Sequence, residues 1–280
     1  MNQTGDNPQN IPKHTTVAII PARFASTRLP GKALIELAGK PMVCWVAERA
    51  LAARNVDRVI VATDSDEIAQ AVRSREIEVM LTSPHHTSGT DRVAEVAAAI
   101  PEAEIIVNVQ GDEPLISPQT IEKAVDVMTV EMRKTSGGAG IVTAWEPIES
   151  STDLFNPDLV KVVVDDDNAV YFSRSPLPFP RDAVKRHGSL DVALQREPDL
   201  LKLFRKHTGL YVYRRDVLLE FTKWPQTQLE QTEALEQLRA LAHGVKIKVV
   251  EACTPSTGVD TLADLEKVRA QISTPTLQNI

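Results

Sequence analysis

The sequence predicts an α/β protein with a mostly parallel sheet flanked by helices, and three observations carry that expectation. Apolar β-rich runs alternate with helical stretches through the first half of the chain, the order that lays strands side by side in parallel. Those runs are continuously apolar, as strands covered on both faces are. The second half contains a hairpin pattern instead, so a small hairpin-containing subregion is expected beside the main sheet.

Residues 17–20 read as a short buried strand, and residues 41–53 have helical spacing with Pro41 suited to a first turn. Strands follow at 59–62, 77–81, 105–109 and 141–144, separated by helices at 66–73, 91–100 and near 118–128. Further on, 160–164 and 170–173 flank Asp165-Asp166-Asp167-Asn168, a turn sequence. Residues 176–180 are proline-rich and irregular, and 210–213 is a strand. One helix is expected over 227–242, opened by the capping box Thr227 to Glu230. A strand at 247–250 and a helix at 260–272 close the chain.

The 280 residues suit one large domain, placed at 16–272 with an insertion at about 150–205 and flexible polar tails at 1–15 and 273–280. The net charge of −7 argues against a nucleic-acid partner, which calls for a basic surface. Cys44 and Cys253 lie far apart and outside any Cys-x-x-Cys pair, so neither a disulfide framework nor a structural zinc is expected. No apolar run approaches the roughly 20 residues of a membrane span, and the polar N-terminus does not resemble a signal peptide. A cytoplasmic protein without membrane insertion is expected.

Ligands of such sheets bind at the carboxyl ends of the strands. The loop at 21–32 occupies such an end and crowds Arg23, Arg28 and Lys32 together. Two guanidinium forks and one ammonium can wrap a triphosphate, with Gly31 allowing close backbone approach. A solvated basic loop is the competing reading on charge alone; position at a strand end favours the first. The spacing is not that of a Walker A loop. Asp112 and Asp260 each follow a strand, and each taken singly reads as a turn or cap residue, with Thr261 and Asp264 an alternative cap for the last helix.

The block Ile19-Ile20-Pro21-Ala22-Arg23-Phe24-Ala25-Ser26-Thr27-Arg28-Leu29-Pro30-Gly31-Lys32 closely resembles the opening of the 3-deoxy-manno-octulosonate cytidylyltransferase (CMP-Kdo synthetase) family. The resemblance continues through residues 61–64, 88–92, 108–114, 155–157 and 171–174. It takes in His207 with 209–213, then 235–239 and 258–261, and covers roughly 16–270.

That resemblance implies a Rossmann-like fold of the nucleotide-diphospho-sugar transferase type and transfer of CMP from CTP to Kdo for lipopolysaccharide synthesis. It implies Mg²⁺ held by Asp112 and Asp260, and catalytic roles for Arg23, Lys32, Asp112 and Asp260. Nucleotide contacts fall to Pro21, Ala22, Arg23, Arg28, Lys32, Ser88, Gly89, Thr90, Gln110 and Asp112. Residues 88–90 also read simply as a helix start. Sugar contacts fall to Gln110, Arg174, His207, Tyr211, Glu230 and Gln231. A buried histidine satisfied by its tyrosine neighbour is the bland reading of His207, and a solvated face that of Glu230. Glu113 is expected to be solvated, and His85 and His86 are expected in a surface loop. Relatives are homodimers, with the hairpin at 160–173 as the expected interface. Residues 182–200 match the family little and read as an insertion or mobile loop. Sibling enzymes acting on sialic acid or 8-amino-Kdo are the near rivals, and a non-catalytic nucleotide-sugar binder is the distant one.

Overall fold

The computed structural model describes residues 14–25 and 29–272. Arg28 and all but His14 and Thr15 of the expected tails lie outside the described residues. Strands β1 (Thr16–Ala22), β2 (Glu36–Leu37), β3 (Lys40–Pro41), β4 (Arg58–Thr63), β5 (Glu78–Leu81) and β6 (Ile105–Asn108) occupy the first half. Strands β7 (Ile141–Pro147), β8 (Lys161–Asp165), β9 (Asn168–Ser173), β10 (Arg205–Arg214) and β11 (Ile247–Glu251) occupy the second. Helices α1 (Met42–Leu51), α2 (Asp66–Arg73), α3 (Gly89–Ala99) and α4 (Pro118–Met132) alternate with the first strands. Then come α5 (Ser151–Phe155), α6 (Arg181–His187), α7 (Leu190–Arg196) and α8 (Arg215–Phe221). The last three are α9 (Gln228–Glu233), α10 (Gln237–Ala242) and α11 (Leu262–Ile272).

The main sheet has the order β5-β4-β1-β6-β10-β7-β11-β9-β8. Its first part is parallel, β1 pairing with β4 and β6, and β4 with β5. Strand β10 then runs antiparallel to both β6 and β7, while β11 lies parallel to β7. The expected hairpin forms between β8 and β9, with Asp165 opposite Asn168. Its two central residues have positive φ, 44° at Asp166 and 60° at Asp167, the twist-matched two-residue turn.

Alternate residues of β1 enter different cores, as a period of two demands. Ala18, Ile20 and Ala22 meet α1, α2 and α4 on one face. Val17 and Ile19 meet α3, α8 and α10 on the other. Each such Val or Ile, fully buried, contributes about 1.5–3 kcal/mol. Cys44 belongs to the first of these cores. Helix starts follow local chemistry: Ser65, Ser88 and Ser117 each cap the helix that follows with a side-chain oxygen.

Three expectations are corrected. Residues 182–200 are not a loop: they form α6, α7 and the start of a 3₁₀ turn at Pro198–Leu203, where Leu194 packs with Ile148, Leu154 and Phe204. The helix expected over 227–242 breaks at Ala234, which takes a left-handed conformation with φ 53° and ψ 49°. The last helix starts at Leu262, because Thr261 and Asp264 cap each other's backbone N–H groups. Among the described residues no helix is long and apolar enough to cross a membrane.

Candidate functional site: two clefts that meet at the strand ends

The carboxyl ends of β1 and β6 open onto a cleft of about 250 Å³. The loop behind β6 touches the end of β1 at Gly111, where a Cβ would stand 2.7 Å from the Pro21 carbonyl oxygen. No other residue permits that approach. Gly31 has a φ of +67°, with nothing within 4 Å of a Cβ. This left-handed residue starts the 3₁₀ turn Lys32–Leu34, which carries Lys32 back to the cleft.

There the Lys32 ammonium lies 2.6 Å from Asp112 Oδ2 and 3.1 Å from Asp260 Oδ1. Asp112 follows β6, and Asp260 arrives on the long loop after β11, whose Val259 N–H donates to the Asp112 carbonyl at 2.9 Å. Two carboxylates from distant strand ends therefore already share one cation. Among the described residues no group of three or more His, Cys, Asp or Glu side chains is placed to hold a metal. Two hard oxygen donors with room for substrate oxygens fit Mg²⁺, which keeps few protein ligands.

Ser88 and Gly89 line the same cleft. Ser88 accepts from Asp91 N–H at 3.1 Å, while its own N–H donates to the Asp91 carboxylate at 3.2 Å, a complete capping box at the start of α3. Pro21, Ala22, Arg23 and Gln110 complete the expected wall.

A second cleft of about 1150 Å³ adjoins the first, and Gln110 and Asp260 line both. His207 and Tyr211 reach it from β10, which bulges between Thr208 and Tyr211. Their rings lie 5.4 Å apart, and Phe172 meets the imidazole edge-on at 5.0 Å. Thr143 Oγ1 is 2.9 Å from His207 Nε2. Burial pushes the His207 imidazole down to about 3, so the ring is neutral. Arg174 also lines this cleft, with two donors on the carbonyls of Glu233 and Pro157, each at 2.8 Å.

A family model described as cytidylyltransferase matches residues 17–247. The 3-deoxy-manno-octulosonate cytidylyltransferase of Geobacter sulfurreducens is 54% identical over 252 residues, 90% of this chain and 96% of its own length. That of Yersinia pseudotuberculosis is 46% identical over 258 residues, 91% of this chain and 97% of its own. The chain belongs to the 3-deoxy-manno-octulosonate cytidylyltransferase family. A solved CMP:2-keto-3-deoxy-manno-octonic acid synthetase complexed with CTP superposes with a TM-score of 0.81 at 41% identity, covering 92% of this chain and 98% of that one.

In this member of the 3-deoxy-manno-octulosonate cytidylyltransferase family several side chains depart from expectation. Thr90 is buried and donates its hydroxyl to Glu236, so it stands behind the cleft wall. Glu230 is no part of either cleft: it is buried, with Arg239 donating to both carboxylate oxygens at 2.6 and 2.9 Å. Its Oε2 also accepts from Thr227 N–H at 3.2 Å. Gln231 is exposed and outside both clefts. The turn at Ala234 presents Glu236 and Gln237 to the second cleft instead. Burial pushes the Glu236 carboxyl up, with the Thr90 hydroxyl opposing that rise.

Glu113 is half-buried and lines the second cleft rather than standing free in solvent, and desolvation pushes its carboxyl up to about 7 against a hydrogen bond from the Ser256 hydroxyl. Arg92 was missed: its guanidinium, 3% exposed, lines the first cleft and donates to Asp64 at 2.7 Å and to Thr82. The signal available was its place one turn after Ser88 on the same helix face. His86 also lines the first cleft, bonded to Glu95.

Proposed function

We propose that the chain transfers CMP from CTP to 3-deoxy-manno-octulosonate (Kdo) and releases pyrophosphate, supplying CMP-Kdo for lipopolysaccharide synthesis in the cytoplasm, where CTP is made. The observation that carries this reading is the junction of the two clefts at Gln110 and Asp260, beside Lys32 and Asp112. The nucleotide takes the first cleft and the sugar the second, so the α-phosphate and the anomeric hydroxyl meet at the junction. The sugar O–P bond forms as the bridging P–O bond to the β-phosphate breaks. The bond's electron pair leaves with pyrophosphate, and the hydroxyl proton passes to solvent.

This chemistry asks for positioning and charge neutralisation more than for acid–base groups. Arg23, Arg28 and Lys32 hold the departing phosphates, and Arg92 adds a buried, preorganised fork. Ser88 and Gly89 offer the start of α3 to the nucleotide. Asp112 and Asp260 would hold Mg²⁺, which when bound supplies Lewis-acid polarisation of phosphate oxygens. On the sugar side, Gln110, His207, Tyr211, Glu236 and Gln237 face the hydroxyls and Arg174 faces the carboxylate. The neutral imidazole of His207 keeps both a donor and an acceptor role, which suits a polyhydroxylated ligand.

The chain is read as a homodimer through the β8–β9 hairpin. Strand β8 comes last in the main sheet and also pairs with β10 at Lys161 and Lys206, while Val170 on β9 is 56% exposed. Light scattering on the full chain tests that stoichiometry.

Pyrophosphate release tests the activity, with CTP and Mg²⁺ against Kdo, 8-amino-Kdo and sialic acid, and with ATP, GTP or UTP in place of CTP. Release with CTP and Kdo alone, abolished by EDTA, is the expected result. Release with another sugar instead would move the substrate, and no release from protein that binds CTP would favour a non-catalytic binder.

A further inference from the structure

The stretch from residue 252 to residue 260 carries one of the two junction carboxylates, yet no helix or strand holds it. Its course depends on single contacts. Cys253 N–H donates to Thr120 Oγ1 at 2.9 Å, and Val259 N–H to the Asp112 carbonyl at 2.9 Å. The Val259 side chain is fully buried beside Leu29, Trp45 and Leu265.

Between these anchors, Ser256 meets two acids, the buried Glu146 and the half-buried Glu113. Its N–H donates to Glu146 Oε1 at 2.9 Å, and its hydroxyl donates to Glu113 Oε2. Glu146 belongs to β7, is 3% exposed, and is held by Lys206 at 2.6 Å and by the Thr208 hydroxyl at 3.0 Å. Glu113 adjoins Asp112 in the chain. Two residues on, the loop passes so close to Glu113 that a Cβ on Gly258 would stand 3.3 Å from its Oε1. One serine thus joins three parts of the molecule: the sheet, the loop of Asp112 and the loop of Asp260.

We propose that Ser256 is a positioning residue which, through Glu113 and Glu146, holds Asp260 against Asp112 so that the two carboxylates can share one divalent cation. This rests on the reading of Asp112 and Asp260 as the metal-holding pair. Outer partners of this kind set ligand orientation, and their loss costs about 10–100-fold in metal affinity or activity. Removing the hydroxyl leaves the Ser256 N–H bond to Glu146 in place but severs the side-chain link between the two loops. The fold keeps its anchors, while the Asp112–Asp260 separation loses a constraint.

The test is Mn²⁺ binding to the full chain in the presence of CTP and the absence of sugar, read from the electron paramagnetic resonance signal of free Mn²⁺. In parallel, CTP binding is measured in EDTA and thermal unfolding is recorded. Ser256→Ala is expected to weaken Mn²⁺ binding about 10-fold while leaving CTP binding in EDTA and the unfolding midpoint close to wild type. Ser256→Thr, which keeps a hydroxyl, is expected to recover most of the loss. Mn²⁺ affinity within twofold of wild type in Ser256→Ala overturns the proposal. So does a parallel loss of CTP binding in EDTA and of thermal stability, which would make Ser256 a general structural residue. Asp112→Asn separates the two readings. If it leaves Mn²⁺ binding intact, the metal-holding pair is wrong and the proposal falls with it. If it abolishes binding while Ser256→Ala changes nothing, only the positioning role falls.

Discussion

The two clefts share a wall but are built in different ways. In the first cleft, proposed above for the nucleotide, the residues sit in loops just past parallel strands: Arg23 after β1, Ser88 after β5 and Asp112 after β6. In the second, proposed for the sugar, His207 and Tyr211 lie within the bulged antiparallel strand β10, and Gln237 opens a helix after the break at Ala234. A loop at a strand end converges on its neighbours because parallel topology puts all such ends at one edge. Side chains within a strand converge only through the pairings that the rest of the chain provides. The first cleft is therefore set by topology, and the second by register, bulge and break.

Variants that strike one side sharpen this contrast. The largest effect is expected from Asp112→Asn, which should lower turnover by more than about 10³-fold, beyond the 10²–10³ of a single preorganised donor. A variant whose Mg²⁺ titration and rate match wild type would remove Asp112 from the junction. Glu230→Ala, outside both clefts, should act on stability instead. It strips the buried Arg239 guanidinium of its bidentate partner, a loss of about 3–5 kcal/mol in urea unfolding, with the Michaelis constant for Kdo unchanged. A raised constant at wild-type stability would return Glu230 to the sugar.

Lys32→Ala is expected to slow turnover by about 10²–10³-fold, and a rate within a factor of two of wild type would sink the assignment. The next effect belongs to pH. Below its ordinary value of 6.5 the His207 imidazole is protonated in the unfolded chain, but in the fold it stays neutral down to about 3. The unfolded state binds more protons across that window, so stability falls as pH drops through it. The slope is about 1.4 kcal/mol per pH unit. His207→Gln should flatten that part of the slope in urea unfolding at stepped pH; equal slopes would mean that the ring is solvated.

The same contrast explains what could be read in advance. The buried runs that became β1, β4 and β6 were visible as continuous apolar stretches, and the cationic loop after the first of them was visible by its position. Glu230 and Gln231 were assigned to the sugar by resemblance, and the break between them and the cleft stayed hidden because the period over 227–242 looks unbroken. Ala234 carries no glycine signal for its left-handed turn. Helices α6 and α7 have seven residues each and bury only Ala183, Ala193 and Leu194 between them, too few apolar positions to show a period. The hydrogen bond to Glu113 comes from Ser256, 143 positions away, and no local pattern announces it.

The most direct test of the two-cleft account is one pyrophosphate-release assay with CTP, Mg²⁺ and Kdo, run on wild type, Arg23→Ala and Gln237→Ala. Wild type should need both substrates. Arg23→Ala should raise the Michaelis constant for CTP about tenfold and leave that for Kdo within twofold. Gln237→Ala should do the reverse, as expected for loss of one hydrogen-bonding group worth about 1–1.5 kcal/mol. Both variants moving the same substrate, or release by wild type without Kdo, would contradict the account.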